Sequence, residues 1–222
     1  MERNTAAVCE QLFENSQILF GLAGTLLYHE PTSVILDQLI SKREVLEDPA
    51  LQAMAPEGAP ALSQALTALS ANDASPLRQL LLQEYAALFI QRTVSKVYPW
   101  ESVYTTHDHT LFGESELEVK ALYREFGITF GASTNEPQDH IGLEFLFLSH
   151  ISEKGILALE QEDRAKAERL QAVQASFLSE HILVFANDFL AALESKAETD
   201  YYKAVCSFTR DTLTWARSMY SL

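Results

Sequence analysis

Cysteine is nearly missing from this 222-residue chain, in which Cys9 and Cys206 stand far apart with no close-spaced pair. Two isolated thiols exclude a disulfide framework and a zinc knuckle, and both fall in apolar helical patterns, where a buried thiol in a reducing compartment is the default. Positive charge is scarce as well: 16 Lys and Arg face 31 Asp and Glu, a formal net charge of −15. Such a surface repels phosphate backbones and anionic lipid, so nucleic acid is not expected as a partner. A basic peptide would be steered toward it, although the same acidity also serves plain solubility. No run approaches the roughly 18 apolar residues that cross a bilayer. Glu10, Gln11, Glu14 and Asn15 interrupt the N-terminal stretch before a signal peptide's apolar region could form. The expectation is a cytoplasmic protein with no stable membrane insertion. Only eight glycines occur, with no phosphate-cradling loop, and Ser102, Ser133 and Ser149 lack a Gly-x-Ser-x-Gly elbow, so catalysis gains no support.

Apolar residues make up 47% of the chain and recur at spacings of three and four almost throughout, which predicts an all-α protein. We expect a single compact helical domain over residues 1–222 with roughly eight to ten helices. A first helix should run to about Tyr28 and a second should open at Pro31. Pro49, Pro56, Gly58 and Pro60 mark a loop over 47–60, with helices following at about 60–71 and 75–90, the latter capped by Ser75 ahead of Pro76. Ser115 and Glu118 suggest a capping box, and Gly127 a left-handed helix end. The stretch Ile141–Ile151 is apolar nearly all round, as in a helix covered on every side. A last helix is expected at about 199–220.

Two irregular segments, near 91–113 and 127–137, interrupt this pattern, and long irregular segments in a compact domain usually have a job. The first holds Tyr98, Trp100 and Tyr104 around Pro99 and Glu101, close to a helix end carrying Tyr85 and Phe89. Aromatics can be core, but aromatics with scattered acids also suit a groove for a basic, apolar peptide. The second segment leads into Glu136-Pro137-Gln138-Asp139-His140. Pro137 fits a first helical position, and Asp139 and His140 a first turn, where free backbone amides favour a carboxylate and oppose protonation of the histidine. The pairs His107-Asp108-His109 and Asp139-His140 raise the alternative of a metal-dependent phosphohydrolase of the HD type. Ligands two apart in a loop do not share a helix face, so spacing speaks against that site. An acidic helical adaptor without peptide specificity is the other alternative.

Five short motifs are collinear over about 85–215. Glu136-Pro137-Gln138-Asp139-His140 resembles the E-P-x-D-H signature of the TorD/DmsD family of redox-enzyme maturation chaperones. Tyr85-Ala86-Ala87-Leu88-Phe89 resembles its Y-x-x-L-F, and Pro99-Trp100-Glu101-Ser102-Val103-Tyr104 its P-W-x-S-V-Y/W. Leu111-Phe112-Gly113-Glu114-Ser115 resembles the segment that follows, and His181 before Phe185 the H-x-x-x-W element, with Phe where the family often has Trp. The resemblance implies a helical, non-enzymatic chaperone without a metal centre. It would bind the twin-arginine signal peptide on the precursor of a molybdoenzyme reductase, such as one for dimethyl sulfoxide or trimethylamine N-oxide, and hold back export until the cofactor is inserted. By position it assigns Tyr85, Leu88, Phe89, Trp100, Tyr104, Glu136, Pro137, Asp139 and His140 to leader binding. Some relatives are associated with guanine nucleotide, for which this chain has no phosphate loop. The family also contains domain-swapped dimers, so a monomer and a swapped dimer both remain open.

Overall fold

The computed structural model describes residues 2–91 (side chains from Ala7), 96–108, 111–129 and 137–222. The described residues are all-α. They form helices α1 (Glu2–Tyr28), α2 (Ser33–Ser41), α3 (Pro49–Met54), α4 (Gly58–Ser70), α5 (Ser75–Tyr85), α6 (Glu101–Thr105), α7 (Glu114–Glu125), α8 (Ile141–Glu160), α9 (Arg164–Phe177), α10 (Leu183–Glu194) and α11 (Asp200–Tyr220). A 3₁₀ turn spans Arg43–Glu47, and π turns extend α5 through Ala86–Ile90 and join α9 to α10 through Leu178–Ile182. No strand occurs among the described residues, only an isolated antiparallel bridge between Trp100 and His140.

Several expected boundaries shift for identifiable reasons. The loop expected at 47–60 contains α3, because Asp48 accepts the N–H groups of Ala50 (2.7 Å) and Leu51 (3.2 Å) and Pro49 takes a first-turn position needing no donor. Within 91–113, residues Glu101–Thr105 close one helical turn. Pro137 opens no helix, since α8 begins at Ile141 behind His140. Ser75 and Ser115 do not cap: Ala74 and Gly113 hold those positions without side-chain bonds. Gly127 does end its helix in the left-handed region, at φ +74°.

The chain divides into two compact units, each assembled from separated segments. The first combines residues up to Tyr28 with Trp100–Ala186 and Ala216–Leu222. In it α1 lies along α8, which packs on α9. Glycine sets how closely α1 and α8 approach: a Cβ on Gly24 would stand 2.8 Å from the Gly142 carbonyl oxygen. Helix α8 is buried on nearly all sides, as its apolar run requires, and Phe147 lies tilted between Phe177 and Tyr123 with ring centroids 4.6 and 5.0 Å away. Tyr220 of α11 closes the unit, its hydroxyl donating to the Gln174 side chain (2.8 Å) and lying 2.9 Å from Ser16 Oγ.

The second unit comprises His29–Pro99 and Asn187–Trp215. Its helix ends are held by remote carboxylates. Asp211 Oδ2 accepts the N–H groups of Glu57 (2.9 Å) and Gly58 (2.8 Å) at the start of α4. Glu84, buried on α5, accepts those of Glu198 (2.6 Å) and Thr199 (3.1 Å) at the start of α11. Both fasten backbone donors that a helix start leaves free.

By length and composition, one continuous helical stretch among the described residues, Arg164–Glu194, could cross a membrane. Half of its apolar window is buried inside the protein, as in a core helix.

Candidate functional site

In the first unit the two aromatic and acidic motifs are fastened together. Trp100 and His140 pair across the isolated bridge, and the Glu101 N–H donates to the Asp139 carbonyl at 2.9 Å. Asp139 is fully buried, and its Oδ2 accepts the Ser102 N–H at 2.7 Å and the Ser115 hydroxyl at 3.4 Å. It thus caps α6 rather than its own helix. Burial raises its pKa above the ordinary carboxylate value, although the bonds from Ser102 pull the other way.

His140, 5% exposed, is the cap of α8: its Nδ1 accepts the Gly142 N–H at 3.0 Å. Acceptance at Nδ1 requires the neutral ring, and burial lowers the imidazole pKa to about 3. Two aromatic rings meet it edge to face, Tyr28 at 5.2 Å and Trp100 at 6.2 Å. The histidine therefore orients Trp100 while staying uncharged.

Beneath this pair lies an acidic cluster that the motifs only partly announced. Glu101 Oε2 sits 3.1 Å from His181 Nδ1, with both side chains buried. Glu144, fully buried on α8, meets no N–H or hydroxyl donor among the described residues. Burial, and then the nearby carboxylates of Glu101 and Asp139, raise its pKa well above the ordinary value, so the neutral acid is favoured. Glu144 was missed as a site residue, although a lone acid inside the apolar run 141–151 was a visible signal.

The aromatic residues stand differently. Trp100 and Tyr104 are half-buried in the first unit, where Tyr104 lies 5.5 Å from Phe185, the position at which the H-x-x-x-W element departs from Trp. In the second unit Tyr85 and Phe89 are half-buried with ring centroids 5.4 Å apart, and Phe89 leans on Tyr202 at 5.9 Å. Leu88 (1% exposed) and Pro137 are buried, and Glu136 lies outside the described residues. The structure thus joins Trp100, Asp139 and His140 directly, and it groups Tyr85 with Phe89.

Among the described residues no three His, Cys, Asp or Glu side chains gather to hold a metal ion. His107 is fully exposed with its Nδ1 3.3 Å from the adjacent Asp108 carboxylate, and His109 lies outside the described residues. A buried acid cluster behind a half-open indole can hold two segments in register and present aromatic surface; it offers no activated nucleophile.

A crystal structure described as a redox enzyme maturation protein from Archaeoglobus fulgidus has the same fold, with TM-score 0.55 and 22% identity over 88% of this chain and 91% of that one. The family model described as nitrate reductase delta subunit matches residues 48–191, and the chain belongs to that family, which includes the TorD chaperones. A Haemophilus influenzae protein named "Probable Tat proofreading chaperone DmsD" is 30% identical over 62% of this chain, which spans 60% of that protein's length. The Tat proofreading chaperone DmsD of Salmonella typhimurium is 28% identical over 86% of this chain and 83% of its own. The chaperone protein TorD of Photobacterium profundum is 26% identical over 56% of each. These relatives are named as chaperones, not enzymes.

Proposed function

We propose that this protein is a cytoplasmic chaperone that binds the twin-arginine signal peptide of a molybdenum-cofactor oxidoreductase precursor, such as a dimethyl sulfoxide or trimethylamine N-oxide reductase. It would assist cofactor insertion and delay export until insertion is complete. The observation that carries this reading is a division of labour within the motifs. Their polar members, Asp139 and His140, are buried and spend themselves on backbone, while their aromatic members Tyr85, Phe89, Trp100 and Tyr104 stay half-open. A twin-arginine leader offers guanidinium groups and then an apolar, helix-prone stretch. The net charge of −15 attracts the first, and aromatic faces cover the second or stack on guanidinium.

Calorimetry with a synthetic twin-arginine leader tests the proposal. Binding should be measurable and should be lost when both arginines are replaced by glutamine. A leader that does not bind, or binds regardless of that replacement, removes it.

A further inference from the structure

The second unit carries a groove of about 610 Å³ that none of the assigned motif residues lines, formed by α4, α5 and the first turns of α11. That volume is typical of sites for organic ligands, roughly 300–1,000 Å³. Its floor is small: Ala61, Ala65 and Ala68 fall on one face of α4, with Ala204 on α11. Its wall is aliphatic, made by Leu77, Leu80 and Leu81, and Leu80 is 46% exposed although it lines a concavity. An alanine-rich floor, with Gln64 and Leu69 beside it, against a leucine wall accepts the projecting apolar face of a helix.

Charge selects the occupant further. The N–H groups of Glu198 and Thr199, just ahead of α11, are already taken by Glu84, and Thr199 Oγ1 accepts that of Tyr202 at 3.4 Å. At the mouth, Glu198 and Asp200 are exposed, and Lys203 Nζ reaches Asp200 only at 4.0 Å. The site is apolar inside and predominantly acidic at one end.

The groove also continues the motif aromatics. Leu77, Leu81 and Tyr85 recur every four residues on α5, and the π turn Ala86–Ile90 follows, with the Phe89 ring beside that of Tyr85. From Leu77 to Phe89 this stripe is about 18 Å long, the rise of a twelve-residue helix. We infer that the groove seats the apolar stretch of the leader as a helix, with the leader's basic flank at Glu198 and Asp200. This rests on the leader-binding reading above and adds a place for the leader's apolar half.

The test uses the full chain and the synthetic leader. Leu80→Glu, at an exposed position, and Ala68→Trp, which fills the floor from an exposed residue, should each weaken leader binding at least tenfold with an unchanged Tm. Glu198→Gln combined with Asp200→Asn should weaken it several-fold and flatten its salt dependence. Hydrogen exchange on the wild type should slow across 61–69, 77–81 and 201–207 when the leader is added. Wild-type affinity in both groove variants, with exchange unslowed there, overturns the groove while leaving leader binding in place. A wild type that ignores the leader fails the earlier proposal as well, and the two failures are thereby told apart.

Discussion

Asp139 caps a helix through a residue 37 positions earlier in the chain: its Oδ2 accepts the Ser102 N–H at 2.7 Å from a fully buried position. Asp139→Ala strands that donor and should cost about 1–3 kcal/mol in chemical denaturation, whereas Asp139→Asn keeps an acceptor and should cost less. Because the same bond positions the turn after Trp100, leader affinity of the folded alanine variant should also fall. Unchanged stability in both variants would contradict the cap.

The neutral His140 makes stability depend on pH with a definite sign. Its folded pKa is depressed to about 3 from an ordinary 6.5, so below pH 6.5 the unfolded chain takes a proton that the folded one refuses. The stabilising contribution is present above pH 6.5 and declines as pH falls toward 3. His140→Asn keeps an acceptor at the cap without the titration. Between pH 6.5 and 5 the wild type should lose stability relative to this variant with a limiting slope of about 1.4 kcal/mol per pH unit. Parallel denaturation midpoints across that window would refute the assignment.

Glu144 acts in the opposite sense. Its folded pKa is raised by burial and by the facing carboxylates of Glu101 and Asp139, in a cluster that also holds His181 and the buried Tyr123 hydroxyl. Its contribution is present below the ordinary value of 4.5 and is lost as pH rises toward the folded pKa. Glu144→Gln, uncharged at every pH, should therefore be more stable than wild type at pH 8, and the advantage should shrink as pH falls to 5. Thermal melts at matched ionic strength read this directly.

Glu84 offers a test confined to the second unit. Replacing it with alanine frees the N–H groups of Glu198 and Thr199 and should cost about 1–3 kcal/mol, with amide exchange quickening at the start of α11. Exchange at wild-type rates there would show that the cap contributes nothing.

What could be read in advance was what depends on neighbours in sequence. The covered helix at 141–151 and the final helix at about 199–220 follow from apolar spacing alone: the first starts where α8 does, although α8 runs on to Glu160, and the second matches α11 closely. Pro49 misled because a proline that breaks one helix also starts another, and the Asp48 cap decides which. Sequence position predicts that Asp139 serves its own helix, because the Ser102 donor becomes its neighbour only in three dimensions. The π turns at 86–90 and 178–182 need no special residue and leave no local trace. Among the candidate site residues, the motifs picked out Trp100, Asp139 and His140, which touch, but nothing local told the buried members from the half-open ones. The small floor of the α4–α5–α11 groove was equally silent, since alanines in a helix look like ordinary helix formers.

The tie between Ser16 and Tyr220 has a consequence for biosynthesis. A contact spanning 204 positions cannot form before Tyr220 has left the ribosome, and both units recruit part of α11. Neither can close until that helix has been made, so the apolar faces of the earlier helices have to wait for their cover.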